Sequence, residues 1–525
     1  MKRKWMCVVL LGVILLGTLS AAGCGKSGTE DSGGEYTLVW ALPFAEQKDA
    51  PRVLQKANEM LKELLPNTKL SMKLDGQMAS KWSLWMAGNT TIDVAHVGFV
   101  TDLQTDIDAE NLIPLNDLID KYAPTIKDQR NNMFQDLYRS GEYKGELYAV
   151  PIPQIYVKEA LSVTLPAELA QYMDIPALVN EGYASSTTTE KMYQIIDKYL
   201  SDAKAAGAIG TESVASILNP ENVYYMAQRG YEFIGGAASS VCYRQVPEGG
   251  KVEFVDFHQT QEFKEYIKWM SKWFADGFVS QDVLTGGGAG SKTYLVECHY
   301  VDRIGEEANH TRTKFSPSAN MELTNIFITN PEYDYRGSSK LGELNTFVGI
   351  PATSKNPARA MQFIELLYSE KGADLLNLLN FGFEGESEHY TKRSDKEIQA
   401  KYAGQGTSSD NYGIPPWMTA NMFNSYIINP YTVETYDYAV NYFKNTRPAM
   451  PKTPLYGCSM DSSPVTRELS QMGLVNEEYE KQLIFGVYKE YTPTYENMNN
   501  KMGEAGIAKI ITEYQKQADE YTKSK

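Results

Sequence analysis

Between residues 36 and 97 the chain alternates strand-like and helix-like stretches, and this alternation restricts its fold more than any other feature. YTLVW (36–40) is a short β-rich run. It leads through ALPFAEQ into DAPRVLQKANEMLKELLPN, where Val53, Ala57, Met60, Leu61 and Leu64 recur at helical spacing. Asp49 and Pro51 stand there as start signals. KLSMKL (69–74) sets Leu70, Met72 and Leu74 against Lys69, Ser71 and Lys73, the pattern of a half-buried strand. A second helical stretch near MASKWSLWMAG precedes IDVAHV (92–97), a buried-strand run. This β-α-β-α-β order predicts an α/β fold with a parallel, doubly wound sheet, because right-handed crossovers lay successive strands side by side. Ligands of such sheets settle beyond the carboxyl ends of the strands. That rule selects Pro43, Phe44 and Glu46 after the first strand, Gly76 after the second, and Gly98 and Phe99 after the third.

Three later stretches read as amphipathic helices. QEFKEYIKWMSKWF (261–274) places Phe263, Tyr266, Ile267, Met270, Trp273 and Phe274 on one face. The period assigns Trp273 to a core and leaves Trp269 off that stripe. KNPARAMQFIELLYS opens with Asn356 as N-cap and Pro357 at the first helical position, with Met361, Ile364 and Tyr368 on its buried face. The chain closes with GIAKIITEYQKQADEYTK, where Ile507, Ile510, Ile511, Tyr514, Ala518 and Tyr521 share a face.

The amino terminus carries a different message. Lys2, Arg3 and Lys4 precede the short apolar run Val8 to Leu16, and Ser20, Ala21, Ala22 and Gly23 then lead to Cys24. That is the layout of a secretory signal, too short for a stable membrane span. Small residues, Cys24 and then the polar GKSGTEDSGG resemble a bacterial lipoprotein box. The resemblance implies acylation of the Cys24 thiol, durable membrane anchoring and a flexible solvated tether. The expected site of action is the extracytoplasmic face of the cell membrane.

Charge and cysteine usage narrow the remainder. Losing Lys2, Arg3 and Lys4 with the leader takes the formal charge from −16 to −19. A chain so acidic repels phosphate backbones, so no nucleic-acid partner is expected. After Cys7 and Cys24 are set aside, Cys242, Cys298 and Cys458 form an odd, scattered trio, neither a disulfide framework nor a metal spacing. At 525 residues the chain can hold two sizeable cores.

Catalytic constellations are weak. GGGAGSKT (286–293) approaches a phosphate-binding loop, but Ser291 replaces its second glycine, and a helix and polar turn precede it instead of a strand. His96, His258, His299, His310 and His389 form no metal-binding spacing, and no metal or other cofactor is expected. Glu384, Glu386 and Glu388 alternate as in a solvated loop, and there is no nucleophile elbow. Aromatic-rich loops are the better sign. Sugar rings stack their C–H faces on Trp and Tyr while their hydroxyls need a few planar polar partners. ALPFAEQ offers Phe44 with Glu46 and Gln47 beside Trp40, and NYGIPPWMTANMFNSY (411–426) offers Trp417 with Asn421. Either loop alone is equally compatible with core filling.

LIPLNDLIDKYAPTIK, GELYAVP, GIPATSKNPARAMQFIELLY and AGIAKIITEYQKQADEY, in that order, resemble characteristic stretches of extracellular solute-binding proteins of bacterial ABC importers. The sugar-binding branch, in its long Gram-positive lipoprotein form, is the nearest in style. The resemblance implies the two-lobed periplasmic-binding-protein-like fold of type II, each lobe a sheet flanked by helices, with the ligand groove between lobes. Expected boundaries are a signal peptide at 1–23, a lipidated tether at 24–35, lobe 1 at 36–147 and 347–400, and lobe 2 at 151–346 and 401–525. The family's groove loops fall on Pro43, Phe44, Gly98, Phe99, Tyr156 just after the first crossing, and Trp417 with Asn421 from the second lobe. The implied function is capture of an extracellular oligosaccharide by a non-enzymatic monomer, which passes it to the transmembrane permease subunits. A peptide or other small solute on the same fold, or an anchored glycoside hydrolase, are the alternatives.

Overall fold

The computed structural model describes residues 34–524 apart from positions 156, 282, 451, 453, 457 and 459 and segments 210–217, 234–239, 246–250, 286–294, 317–319, 331–345 and 402–410. Cys24 with its leader and the tether up to residue 33, Tyr156 and the glycine-rich stretch at 286–293 lie outside the described residues.

Two sheets organise the chain. Their strands run, in sequence order, β1 (Tyr36–Leu42), β2 (Thr68–Leu74), β3 (Val94–Val97), β4 (Ala149–Pro151), β5 (Ala160–Pro166), β6 (Glu297–Val301), β7 (Thr311–Ser316), β8 (Met321–Phe327) and β9 (Phe347–Gly349). The first sheet has the order β2-β1-β3-β9-β4 and the second β6-β5-β8-β7. β1 pairs parallel with β2 and β3, as the alternation predicts. β9 then enters antiparallel to both β3 and β4, so the first sheet is mixed. At the amino end of β3 the buried carboxylate of Asp93 accepts from the Tyr36 hydroxyl at 2.7 Å, the Val39 amide at 2.9 Å and the Ser354 hydroxyl at 2.7 Å. Three donors compensate a charge that burial alone would penalise heavily.

Helices α1 (Ala50–Leu64) and α2 (Met78–Ala87) are the crossovers between β1, β2 and β3. α1 buries Val53, Ala57 and Leu61, each large aliphatic contributing about 1.5–3 kcal/mol. Asp49 makes no capping bond. Its carboxylate instead accepts from Nε2 of His389 at 2.9 Å. Further on come α3 (Gln261–Ala275), α4 (Pro357–Tyr368), α5 (Ala373–Phe381), α6 (Val433–Asn441) and α7 (Ile507–Ser524). Asn356 caps α4 by accepting from the Arg359 amide at 3.0 Å. In α3 both Trp273 and Trp269 are buried, and Tyr193 stacks on Trp269, so the off-stripe tryptophan is core as well.

Two main cores result. One gathers side chains from Leu38 to Val157 and from Val348 to Phe443, among them Met361, Ile364 and Tyr368 of α4. The other gathers Leu161 to Ile328 and Leu455 to Ala518, including the inner face of α7. The packing differs from the expectation that everything from residue 401 onward belongs to the second lobe. Tyr412, Ile414, Met418, Ala420, Tyr442 and Phe443 lie in the first core, and the chain joins the second only at Leu455.

Candidate aromatic site at the strand ends

The chain leaving the carboxyl ends of β1 and β3 meets the segment 411–424. β1 ends at Leu42, and Phe44 turns back into the first core at 8% exposure. Pro43 is half-buried and Glu46 points to solvent. Gln47 is buried and binds Gly413 twice: its Nε2 donates to the Gly413 carbonyl at 3.1 Å, and the Gly413 amide donates to its Oε1 at 3.0 Å. Gly76, after β2, lies against Ala45 of the neighbouring loop.

Beyond β3, Gly98 has φ +90°, a left-handed conformation that glycine adopts without steric penalty. The sharp turn leaves Phe99 53% exposed, unusual for a large apolar ring. Opposite it, Pro416–Met418 forms a single 3-10 turn carrying the half-buried Trp417. The two rings meet edge to face with centroids 5.3 Å apart. Phe99, which the strand-end rule selects, and Trp417, which the aromatic-loop reading selects, are therefore in contact.

Other expected contacts fall elsewhere. Trp40 is fully buried, its ring set against Phe363 of α4 at 5.7 Å, because its side of β1 faces the helical layer. It is core, not groove. Asn421 is also buried, and its side chain accepts from the Phe423 amide at 3.1 Å, capping the short turn Met422–Asn424. Its polarity is used within its own loop. Trp417 packs on the first core, so it does not reach the groove from the second.

His96 is one of the five histidines that the sequence leaves scattered. It lies buried in β3 with Nδ1 3.1 Å from the Met418 carbonyl. No local pattern could have marked it, since its partner is 322 residues away. Burial pushes its imidazole down to about 4, against the smaller upward pull of that carbonyl.

Polar contacts join the two cores near the crossings. The Tyr438 hydroxyl of α6 donates to the Glu159 carboxylate, which also accepts from the Arg303 amide at 3.2 Å. Asp136 accepts from Lys452 Nζ at 2.8 Å and from the Tyr456 hydroxyl. Burial alone would raise its pKa, but those partners, with Arg447 nearby, hold it below the usual carboxylate range. Among the described residues no group of three His, Cys, Asp or Glu is placed to hold a metal ion. No helix among them is long and apolar enough to cross a membrane.

A Streptococcus pneumoniae protein named carbohydrate ABC transporter substrate-binding protein is 23% identical over 527 residues, covering 98% of this chain and 97% of that protein. The crystal structure of the N-glycan transport solute binding protein NgtS from the same species superposes with TM-score 0.68 at 18% identity, covering 93% and 99% of the two chains. This is the fold of ABC-importer solute-binding proteins. An HMO-binding, ABC-transporter-associated solute binding protein from Bifidobacterium longum infantis shares the solute-binding fold at TM-score 0.62 and 14% identity, covering 94% and 100%. Within this chain, residues 454–523 match a family described as a domain of unknown function, DUF3502. That match spans the return into the second core and α7.

Proposed function

We propose that this chain is the substrate-binding component of an ABC importer, capturing an extracellular oligosaccharide and delivering it to the permease. The observation that carries the reading is the exposed Phe99 ring set against Trp417 beyond the carboxyl end of β3, where the α/β rule puts a ligand. Aromatic faces at a wet cleft suit the C–H faces of sugar rings. Relatives named for N-glycan, HMO and carbohydrate binding support the same class. Phe99 and Trp417 are the central contacts, with Pro43, Glu46 and Gly98 at the rim. The protein performs no bond chemistry; ligand binding shifts the balance between lobe arrangements.

The lobes are discontinuous, one built on the core of 38–157 and 348–443, the other on 161–328 and 455–518. Cys24 is the lipid anchor at the outer face of the membrane, and Cys24→Ala releases the protein into the medium. Isothermal calorimetry against Man5GlcNAc, kestose, maltotetraose and an unmodified tetrapeptide tests the ligand class. Tight binding of a glycan, recovered uncleaved, is the expected result. Binding of the peptide alone, or cleavage of the glycan, sinks the reading.

A further inference from the structure

His96 stands in β3, wholly shut away from solvent. The Met418 carbonyl can only accept, so Nδ1 carries the hydrogen that joins them at 3.1 Å. Nε2 has no partner among the described residues and is the bare nitrogen of a neutral ring. Beyond Gly98 on the same chain segment stands Phe99, and the residue before Met418 is Trp417. A single strand and its end therefore grip the backbone of the Pro416–Met418 turn and touch the ring that the turn displays.

We propose that His96 is a positioning residue for the aromatic pair, its Nδ1–H fixing the Met418 carbonyl and through it the angle at which Trp417 meets Phe99. The consequence for affinity rests on the reading of that pair as a glycan platform. A buried carbonyl deprived of its donor rotates toward another one, and the peptide plane that carries it also carries the Thr419 amide, whose bond to the Pro416 carbonyl at 3.1 Å closes the turn around Trp417. The flanks of the segment are held separately. Gly413 is bound by Gln47, the Thr419 hydroxyl donates to Asn380 at 2.8 Å, and the Met422 amide donates to the Pro153 carbonyl at 2.9 Å. Loss of His96 thus frees the centre of the loop and leaves its ends in place. A ring held at a fixed angle before ligand arrives spares the ordering cost on binding.

The mature chain labelled with 5-fluorotryptophan gives a 19F NMR resonance for Trp417, assigned by its disappearance in Trp417→Phe. His96→Leu is expected to shift or split that resonance and leave the other tryptophans in place. His96→Asn, whose side-chain amide nitrogen takes the place of Nδ1, is expected to restore it. Calorimetry with whichever of Man5GlcNAc and kestose binds should show about a fivefold loss for His96→Leu and little further loss in a Trp417→Ala background. A resonance unmoved in His96→Leu, or His96→Asn behaving like His96→Leu, overturns the positioning role whatever the ligand. Unchanged glycan affinity in Trp417→Ala overturns the platform reading instead, and the resonance still decides for or against positioning.

Discussion

Phe99 and Trp417 stand at right angles, with an interplanar angle of 86° at the carboxyl end of the central parallel strands. An edge-to-face pair is favoured by the ring quadrupoles and forms a corner with a floor and a wall. A pyranose laid on one ring then has its rim against the other.

Removing the floor should cost affinity more than stability. Trp417→Ala is expected to weaken glycan binding about tenfold, or ~1.4 kcal/mol. Because the ring is half-buried on the first core, unfolding free energy should fall by only about 1–2 kcal/mol. Calorimetry beside urea titration separates the two. Unchanged affinity with a collapse of stability would assign Trp417 to the core.

Gln47→Leu attacks the other end of the same loop. The substitution leaves the buried amide and carbonyl of Gly413 without partners, and each such group costs about 1–3 kcal/mol. Urea unfolding should show a loss of about 2–4 kcal/mol with the slope unchanged. A loss under about 0.5 kcal/mol would mean that the loop finds replacement partners.

Two buried histidines should give opposite pH dependences. Burial alone would lower the pKa of His258, but Asp256 and Glu480, with Nδ1 at 3.3 Å and Nε2 at 3.1 Å, raise it to about 9. Its stabilisation is complete below the unfolded value near 6.5 and is lost as pH rises through about 9. His96, held down to about 4, acts the other way: stability is lost as pH falls from about 6.5 toward 4. Thermal melts from pH 4 to pH 10 should peak near pH 6.5. His258→Gln should flatten the alkaline limb alone, and an alkaline limb that persists in this variant contradicts the assignment.

The Tyr438 contact with Glu159 joins α6, packed on the first core, to the start of β5 in the second sheet. Tyr438→Phe removes the donor and keeps the ring. Spin labels placed one on each core should report a broader distance distribution in the variant. An unchanged distribution means that the crossings alone set the lobe angle.

What the sequence disclosed follows the range of the forces involved. The period of α1, the alternation of β2 and the Asn356 cap are set within a few residues, and each was legible. Trp40 is misplaced by the sequence because a tryptophan beside a loop looks the same from either face; partners such as Phe363, far along the chain, make it core. Asn421 was misread because its polar side chain satisfies an amide two residues away. Phe99 was found by topology, since the strand-end rule needs only local elements. His96 and Gln47 join partners separated by 322 and 366 residues, which no pattern in the chain records.

β9 lies between β3 and β4, and it is made long after either of them. During synthesis, then, two strand edges wait unpaired until nearly 350 residues have emerged, and unpaired edges invite association with other chains. Closing so long a loop adds little entropy per doubling of length, about 0.6 kcal/mol, but pairings at such separation fold slowly. Neither half of the gene, expressed alone, encodes a finished sheet for the first core. The assembly of this core is therefore a late event in the life of the nascent chain.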